Sequence, residues 1–337
     1  MKILISSHLF HPSVGGIEEV SRILAREFTQ AGHEVRVVTQ TRRDDGTHFP
    51  FAIYRRPGPI ALLDLVEWCD VYVHNNISLR TAWPLLFRRR PWVVAHHTWI
   101  ARVDGSIGWR DRLKNLIVHR ALNIAVSDAM REQIAAPAVV IGNPYRDDLF
   151  RSDPAAVRDR ELVFLGRLVR DKGVDLLFQA LARLRERGLR PRLTVIGRGP
   201  EEPSLRRLSK ELGLEAQIEF AGQQTGSDVV ALLNRHRVIV VPSRWQEPFG
   251  LVALEGIACG CVALVANCGG LPNAIGDAGA TFRHEDIDDA AGWIEKLLAP
   301  GADLQPYRGA AAAHLAKHTA PAVAAQYLRV LEEAARP

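Results

Sequence analysis

The feature that most constrains this chain is a strand, glycine loop, helix and strand unit that occurs twice in the sequence. In its first copy "KILISS" is a short β-run, a loop with two glycines follows, and "EEVSRILAREFTQAG" has apolar residues at helical spacing before the alternating "EVRVVTQ". Parallel strands joined by a helix cross over with a right hand, so this order predicts the start of a doubly wound sheet. Further strands are predicted at "VYVHN", "PWVVAHH" and "LNIAVS".

The second copy begins after "GNPYRDDLFRSDPAAVRDR", a polar segment with two prolines that is typical of a hinge. "ELVFLGRL" predicts a strand, "VDLLFQALARLRERG" a helix and "RLTVIGRG" a strand, and "QIEFAG", "VIVVPS" and "VALVAN" continue the sheet. A chain of 337 residues exceeds the size of one core, so two domains of about 150 residues are expected.

The predicted fold class is therefore α/β, with two doubly wound Rossmann-like domains that face each other across a cleft. We assign residues 1–150 to the first domain and 151–319 to the second. The final helix, at about 320–337, has no strand after it and is expected to pack back on the first domain. Open α/β sheets bind ligands beyond the carboxyl ends of their strands, which predicts a site in the cleft.

Several classes of protein are excluded by composition. No apolar run approaches the ~20 residues needed to cross a bilayer, and the opening residues lack the pattern of a signal peptide, so a cytoplasmic protein is expected. The cysteines are too few for a disulfide framework, and the small apolar residues around them favour core packing over metal binding. They are Cys69, Cys259, Cys261 and Cys268.

Two groups of residues at predicted strand ends fit a phosphate ligand. Arg167 and Lys172 follow the first strand of the second domain, where they can clamp a diphosphate, although solvated or locally paired cations are the alternative. Gly15 and Gly16 stand before the first helix, where backbone N–H groups can approach an anion; a plain tight turn is the alternative. A weaker glycine pair, Gly197 and Gly199 in "IGRGPEE", shows only part of a dinucleotide fingerprint and is also assigned to donor binding.

The stretch "SRWQEPFGLVALEGIACG" carries two carboxylates, Glu247 in a loop and Glu255 in the helix that follows. Carboxylates so placed can accept hydrogen bonds from hydroxyls at opposite ends of an extended polyol, and the first turn of the helix offers N–H groups. Glutamates on a helix surface are the alternative. The donor-binding positions assigned to this turn are Phe249, Gly250, Leu251 and Val252.

Taken together, "EPFGLVALE", "FLGRLVRDKG" about eighty residues upstream, "LTVIGRGP" between them and "PSVGGIEEVSRILAREFTQAGHEVRVVT" at the start resemble the retaining glycosyltransferases of family 4, which have the GT-B fold. The resemblance covers nearly the whole chain. It implies that Glu255 binds the nucleotide ribose and that Glu247 binds hydroxyls of the donor sugar. It further implies that Arg167 and Lys172 hold the diphosphate.

The same resemblance places the Gly15–Gly16 loop against the phosphates and His97, in "VVAHHTW", near the donor sugar and the acceptor. It implies four catalytic residues, Glu247, His97, Arg167 and Lys172, and neither metal nor cofactor. Two departures affect the donor: Pro144 follows Asn143 where relatives usually have glycine, and Asn273 stands where many have glutamate. Whether the donor is linked to UDP or GDP stays open.

Arginines and aromatic residues are concentrated in the first half of the chain. Residues 1–150 hold 19 Lys and Arg against 15 Asp and Glu, whereas the remainder holds 24 against 23. Stretches such as "FRRRPW", with Arg88, Arg89, Arg90 and Trp92, suit an anionic bilayer, although a solvated surface is the alternative. We expect a saccharide or lipid-linked saccharide acceptor, peripheral contact with the inner face of the membrane and a role in envelope polysaccharide assembly. No basic stripe predicts nucleic-acid binding.

Two other function classes share parts of this pattern. An NAD-dependent oxidoreductase would also have doubly wound domains, but neither "HPSVGGIEE" nor "VIGRGPEE" completes its glycine fingerprint. A non-catalytic protein that binds sugar nucleotides would keep Glu255 and the cation clamp, while Glu247 and His97 favour an enzyme. The sequence therefore favours a hexosyltransferase and leaves both alternatives open.

Overall fold

The computed structural model of the chain describes residues 1–13, 15–100 and 108–336. It divides into two compact units, Met1–Pro144 with His318–Pro337, and Tyr145–Lys317. We refer to them as unit 1 and unit 2. Each unit contains one parallel sheet in its described residues.

Unit 1 has, among its described residues, a seven-stranded sheet in the order β3-β2-β1-β4-β5-β6-β7. All of its neighbouring strands pair in parallel. The order reverses between β1 and β4, which makes this the topological switch point of the sheet. The strands are β1 Lys2–Ser7, β2 Glu34–Thr39, β3 Ala52–Arg55, β4 Val71–Asn75, β5 Trp92–His96, β6 Leu122–Ala125 and β7 Ala138–Val140.

Unit 2 repeats this plan with a six-stranded parallel sheet, counted over its described residues, in the order β10-β9-β8-β11-β12-β13. Its switch point lies between β8 and β11, which pair at Val163 and Ile239. The strands are β8 Arg160–Leu165, β9 Leu193–Ile196, β10 Ile218–Gly222, β11 His236–Val241, β12 Val262–Ala266 and β13 Gly279–Phe282.

Helices connect the strands in both units. Those of the first 144 residues are α1 Gly16–Gln30, α2 Pro59–Trp68, α3 Leu79–Ala82, α4 Trp109–Ile117 and α5 Asp128–Gln133. They are followed by α6 Val174–Glu186, α7 Glu202–Glu211, α8 Ser227–Arg235, α9 Leu251–Ala258, α10 Leu271–Ile275, α11 Ile287–Leu298, α12 Gln305–Ala316 and α13 Ala320–Ala335. Short 3-10 turns cover Trp83–Leu86, Val118–Arg120, Arg170–Lys172 and Gly276–Ala278.

The strands form because their apolar residues are continuous rather than alternating, as parallel sheets covered on both faces require. Every residue of β4, β5 and β12 is buried. Helix α1 closes one face of the first sheet with its buried stripe, and α13 packs against α1, β4 and β5. The predicted α/β class with two doubly wound sheets is confirmed.

The cysteines are core residues, as predicted. All four are buried thiols without a disulfide, and burial raises the pKa of Cys259 and of Cys261 to about 12. In the ranges that the structure describes, no group of histidine, cysteine and acidic residues could hold a metal ion. Within the same ranges, none of the helices has the length and apolar character needed to span a bilayer.

Candidate functional site

The two loops that follow β8 and β11 carry the predicted catalytic residues of unit 2. Because β8 and β11 are neighbours at the switch point, their carboxyl ends bring these loops together. Lys172 Nζ lies 2.5 Å from Glu247 Oε1, and Ser243 donates to the same oxygen over 2.8 Å. Both charged side chains are mostly buried, with 24% and 14% of their surface exposed. Two residues 75 positions apart thus form one site.

Arg167, the other predicted clamp residue, starts the same loop but has a different environment. Its side chain is exposed and forms no ion pair with any residue that the structure describes. This exposed guanidinium, on the same loop as Lys172, is available to an anionic ligand. The two predicted cations therefore differ, because one already has a carboxylate partner and the other does not.

Close backbone contacts fix these loops. Gly173 has a φ of 65°, and a Cβ added there would lie 2.0 Å from the carbonyl oxygen of Pro242. A Cβ at Gly269 would lie 2.3 Å from the carbonyl oxygen of Glu247, which also accepts from the N–H of Gly270 over 2.7 Å. Only glycine allows both approaches, so the loops after β8, β11 and β12 have little freedom to separate.

Arg244 ties the same loops together through polar contacts, and sequence reasoning did not find it. Its guanidinium contacts Asp175 at 2.5 Å and Glu285 at 3.3 Å. Its own N–H and that of Trp245 donate to the carbonyl oxygen of Asp171, at 2.9 and 3.1 Å. The residue therefore joins the Glu247 loop to the turn that carries Lys172. An arginine so close to a proposed catalytic glutamate was the available signal.

Gly197 and Gly199 pack loops together in this structure. A Cβ on Gly197 would lie 1.8 Å from the carbonyl oxygen of Gly166, and one on Gly199 would lie 2.2 Å from that of Leu168. The N–H of Leu168 also donates to the carbonyl oxygen of Arg198 over 2.9 Å. These glycines let the Arg167 loop lie directly on the β9 loop.

Helix α9 begins directly after Gly250, whose φ of 127° is accessible mainly to glycine. Phe249 is buried with 3% of its surface exposed, so its ring belongs to the core. Glu255 lies in the second turn and is half-buried. The other two positions at the helix start, Leu251 and Val252, are also half-buried.

In unit 1, His97 belongs to a buried polar chain at the ends of β1, β4 and β5. Asn75 donates from Nδ2 to Ser21 Oγ over 2.6 Å, and the Ser21 hydroxyl contacts that of Ser7 at 2.8 Å. The amide oxygen of Asn75 therefore faces His97 Nε2, at 3.3 Å, and this nitrogen carries the proton. His97 Nδ1 is left as a buried lone pair without a partner among the described residues.

Burial keeps His97 neutral. Burial lowers the pKa of His97 to about 4. The neighbouring His96 also lowers this pKa, whereas the nearby Asn143 side chain raises it. His96 is buried as well, and its Nε2 lies 3.0 Å from Asn123 Oδ1. Near neutral pH His97 can orient or accept a hydrogen bond, but it cannot act as a cationic acid.

The predicted glycine loop is found at the start of α1. Gly15 precedes the helix and Gly16 is its first residue. The Glu18 carboxylate folds back over Gly15, where a Cβ would lie 2.3 Å from Glu18 Oε2. A carboxylate at a helix start is electrostatically favourable, and a bound phosphate would have to displace it.

Asn76 is a second residue of unit 1 that sequence reasoning missed. Its φ is 66°, and its amide oxygen accepts the N–H groups of His97 and Thr98 over 2.7 and 3.0 Å. Asparagine tolerates this left-handed backbone, which ties the loop after β5 to the loop after β4. Two asparagines at the end of a buried strand were the signal for it.

A pocket of about 670 Å3 opens at the switch point of unit 1. Its walls come from the loops after β1, β4 and β5 and from the starts of α1 and α4. The residues that line it are His8, Leu9, Ile17, Glu18, Asn75, Asn76, Ile77, Ser78, Leu79, Arg80, Thr98, Trp109, Arg110 and Lys114.

The prediction that Trp92 faces a membrane is wrong. The side chain is 8% exposed, and its Nε1 donates to His74 Nδ1 over 2.8 Å, because β5 is covered on both faces. Arg90 donates to the backbone carbonyls of Val66 and Glu67. The exposed residues of this stretch are Leu86, Phe87, Arg88 and Arg89.

One acidic string in unit 2, Asp286 and Asp288 around an isoleucine, has the spacing that metal-dependent glycosyltransferases use for a cation. Asp286 here caps α11, because its Oδ1 accepts the N–H of Asp289 over 2.9 Å. Asp288 contacts Arg183 at 3.5 Å. The string therefore forms the start of α11 and contacts α6 through Arg183.

Two parallel sheets with loops of this kind define the GT-B class, and solved structures confirm the fold. Anabaena HepE, solved in complex with UDP, superposes with a TM-score of 0.83 over 99% of this chain and 100% of that chain, at 20% identity. The sucrose-phosphate synthase from Thermosynechococcus elongatus reaches a TM-score of 0.80 over 98% of both chains, at 21% identity. Identities this low establish the fold alone.

Family profiles identify the group more closely. The profile described as "Glycosyltransferase Family 4" matches residues 14–148, and that described as "Glycosyl transferases group 1" matches residues 146–312. The chain belongs to glycosyltransferase family 4.

Curated relatives agree with this assignment. A D-inositol 3-phosphate glycosyltransferase of Mycolicibacterium paratuberculosis is 33% identical over 63% of this chain and 50% of its own length. The phosphatidylinositol N-acetylglucosaminyltransferase gpi3 subunit of Schizosaccharomyces pombe is 26% identical over 87% of this chain and 72% of its own length. The chain spans from a third to about half of the inositol-phosphate relatives that it matches.

Proposed function

We propose that the chain is a retaining hexosyltransferase that moves a sugar from a UDP- or GDP-linked donor to a saccharide or lipid-linked saccharide. The observation that carries this proposal is the Lys172–Glu247 pair at the switch point of unit 2, beside the exposed Arg167. Neighbouring structures in complex with UDP and with UDP-glucose support a nucleotide-sugar donor. In this proposal unit 2 binds the donor and unit 1 the acceptor.

The proposed reaction uses electrostatics rather than a metal ion. The bond between the anomeric carbon and the leaving phosphate oxygen breaks while the acceptor oxygen forms a bond on the same face. The acceptor proton passes to the leaving phosphate. Negative charge grows on the diphosphate, where Arg167, Lys172 and the N–H groups before α9 lower the barrier.

Glu247 has two partners in succession in this mechanism. With the site empty its carboxylate neutralises Lys172, and with donor bound it accepts hydrogen bonds from the sugar hydroxyls while Lys172 turns to the phosphate. Glu255 binds the ribose. His97, neutral and held by Asn75, positions the donor sugar or the acceptor.

A ligand screen tests the donor first. UDP or GDP should raise the melting temperature of the chain, whereas NAD should not, because binding to the folded state alone stabilises it. Incubation of the chain with a sugar nucleotide and a membrane extract, followed by NMR of the product, then tests transfer and anomeric configuration. Stabilisation by NAD alone would favour an oxidoreductase, and nucleotide binding without transfer would favour a non-catalytic protein.

Peripheral membrane contact is a second proposal, now with different residues. Leu86 and Phe87 are 72% and 67% exposed, and Arg88 and Arg89 follow them, an arrangement that suits an anionic bilayer. Changing both arginines to Glu should weaken binding to anionic vesicles, most clearly at low salt, and leave UDP or GDP affinity unchanged. If the unmodified chain does not bind such vesicles, a soluble acceptor is favoured.

A further inference from the structure

The pocket at the switch point of unit 1 has a pronounced charge imbalance. Among the residues that the structure describes, three permanent cations line it, Arg80, Arg110 and Lys114, against one carboxylate, Glu18. Its volume of about 670 Å3 is in the range of roughly 300–1,000 Å3 that is usual for small-molecule sites. Such a cavity is large enough for a saccharide with a substituent.

Two of the three cations have no acidic partner among the residues that the structure describes. Arg80 is exposed and Arg110 lies 5.2 Å from the centre of the Trp109 ring, and neither makes an ion pair with a described residue. Lys114 contacts Asp111 at 3.2 Å, but that carboxylate also accepts the Gly108 N–H. Two guanidiniums without an acidic partner among the described residues, in one pocket, favour a ligand with a compact, multiply charged anion.

The rest of the lining suits a sugar. Trp109 is 70% exposed and presents a flat apolar face at the pocket, while Asn76 and Ser78 supply polar groups after the end of β4. Hydroxyl groups need such partners, and the apolar faces of a ring pack on aromatic side chains.

We infer that unit 1 selects acceptors that carry a phosphate ester, held by Arg80, Arg110 and Lys114 beside a sugar or polyol ring. This inference rests on the proposed function and names its acceptor class. A soluble sugar phosphate and the phosphate of a lipid headgroup share this chemistry.

Binding of paired probes tests the inference on the full chain with UDP or GDP present. Glucose 6-phosphate should bind at least tenfold more tightly than glucose, and Arg80→Gln or Arg110→Gln should each reduce that preference about tenfold. Arg112→Gln is the matched control, because Arg112 is exposed on the same helix as Arg110 but does not line the pocket. It should leave the preference intact.

A second arm separates the two sources of phosphate. Vesicles of phosphatidylcholine with and without phosphatidylinositol replace the soluble probes, and a preference for the phosphatidylinositol vesicles that Arg80→Gln removes and Arg112→Gln retains identifies a lipid acceptor. Equal binding of charged and neutral probes in both arms, or equal effects of Arg80→Gln and Arg112→Gln, overturns the inference. Retained stabilisation by UDP or GDP in that case shows that only the acceptor class is wrong; its absence also removes the proposed function.

Discussion

The two sheets reverse their strand order in the same way, but the loops at the two switch points differ in how closely they pack. In unit 2 the loops after β8 and β11 are joined by the Lys172–Glu247 pair and by close glycine contacts. In unit 1 the loops after β1 and β4 border an open pocket whose Arg80 and Arg110 form no ion pair with a described residue. The same topology therefore carries a rigid site in one unit and an open one in the other.

The difference fits the proposed division of labour. A nucleoside diphosphate is a fixed chemical group, and a rigid site binds such a group with little loss of conformational entropy. Acceptors differ in size and substituents, and loops at strand ends can vary to fit them without changing the sheet. The following predictions test this comparison, beginning with the largest effect.

Glu247→Gln should lower turnover by about 1,000-fold, because the amide keeps the shape but loses the charge that acts on the donor sugar in the transition state. UDP or GDP affinity should stay the same or rise, since Lys172 loses its competing carboxylate. Glu255→Gln is the matched control and should weaken nucleotide affinity by about tenfold with a smaller effect on turnover. Initial rates and calorimetric titrations measure both quantities. Indistinguishable profiles for the two variants would contradict the assigned roles.

Gly173→Ala tests the rigidity of unit 2. The new Cβ would lie 2.0 Å from the carbonyl oxygen of Pro242 at a φ of 65°, so the free energy of unfolding should fall by about 3 kcal/mol. Gly188→Ala is the control, because its φ of 83° is equally strained but nothing lies within 4 Å of the new atom; about 1 kcal/mol is expected. Urea unfolding measures both values. Equal losses would show that the close approach to Pro242 is unimportant.

Lowering the pH should reduce the free energy of unfolding of unit 1 more than that of unit 2. Burial lowers the pKa of His74 to about 3 and that of His97 to about 4 in unit 1, and it lowers that of His236 to about 4 in unit 2. Unfolded histidines bind protons near pH 6.5, so the stability that the neutral rings contribute is complete above that pH and is lost as the pH falls toward 4.

Burial also lowers the pKa of His96, so the excess of buried histidines in unit 1 predicts an additional loss on the order of 2 kcal/mol or more for that unit. Hydrogen exchange of β4 and β5 against β8 and β11, at pH 7 and pH 4.5 and corrected for intrinsic exchange rates, measures this difference. Leu4→Ala lies in the same sheet but adds no titrating group, so it should not change the pH dependence. Parallel losses in both units would mean that histidine burial does not distinguish them.

The two parallel sheets could be predicted from the sequence, because strands buried on both faces have continuous apolar runs such as "VYVHN" and "VALVA". The short edge strands β3, β7 and β13 were missed, since they have only three or four residues and weak patterning. The pairing of Lys172 with Glu247 was not predicted, because proximity across 75 residues depends on strand order rather than local pattern. Trp92 was misplaced for a related reason: composition alone does not show which face of a strand end is covered.

Trp92→Phe should have the smallest effect and tests that correction in unit 1. Phenylalanine keeps most of the buried ring but leaves His74 Nδ1 without its 2.8 Å donor, in a place that water does not reach. An unsatisfied buried acceptor costs about 1 to 2 kcal/mol, so the midpoint of urea unfolding should fall accordingly. Trp109→Phe is the control: that ring is 70% exposed, and its replacement should change the unfolding free energy by less than about 0.5 kcal/mol. If Trp92→Phe instead leaves the free energy of unfolding unchanged but weakens binding to anionic vesicles, then Trp92 lies at the surface. The hydrogen bond between Trp92 Nε1 and His74 Nδ1 would then not contribute to the stability of unit 1.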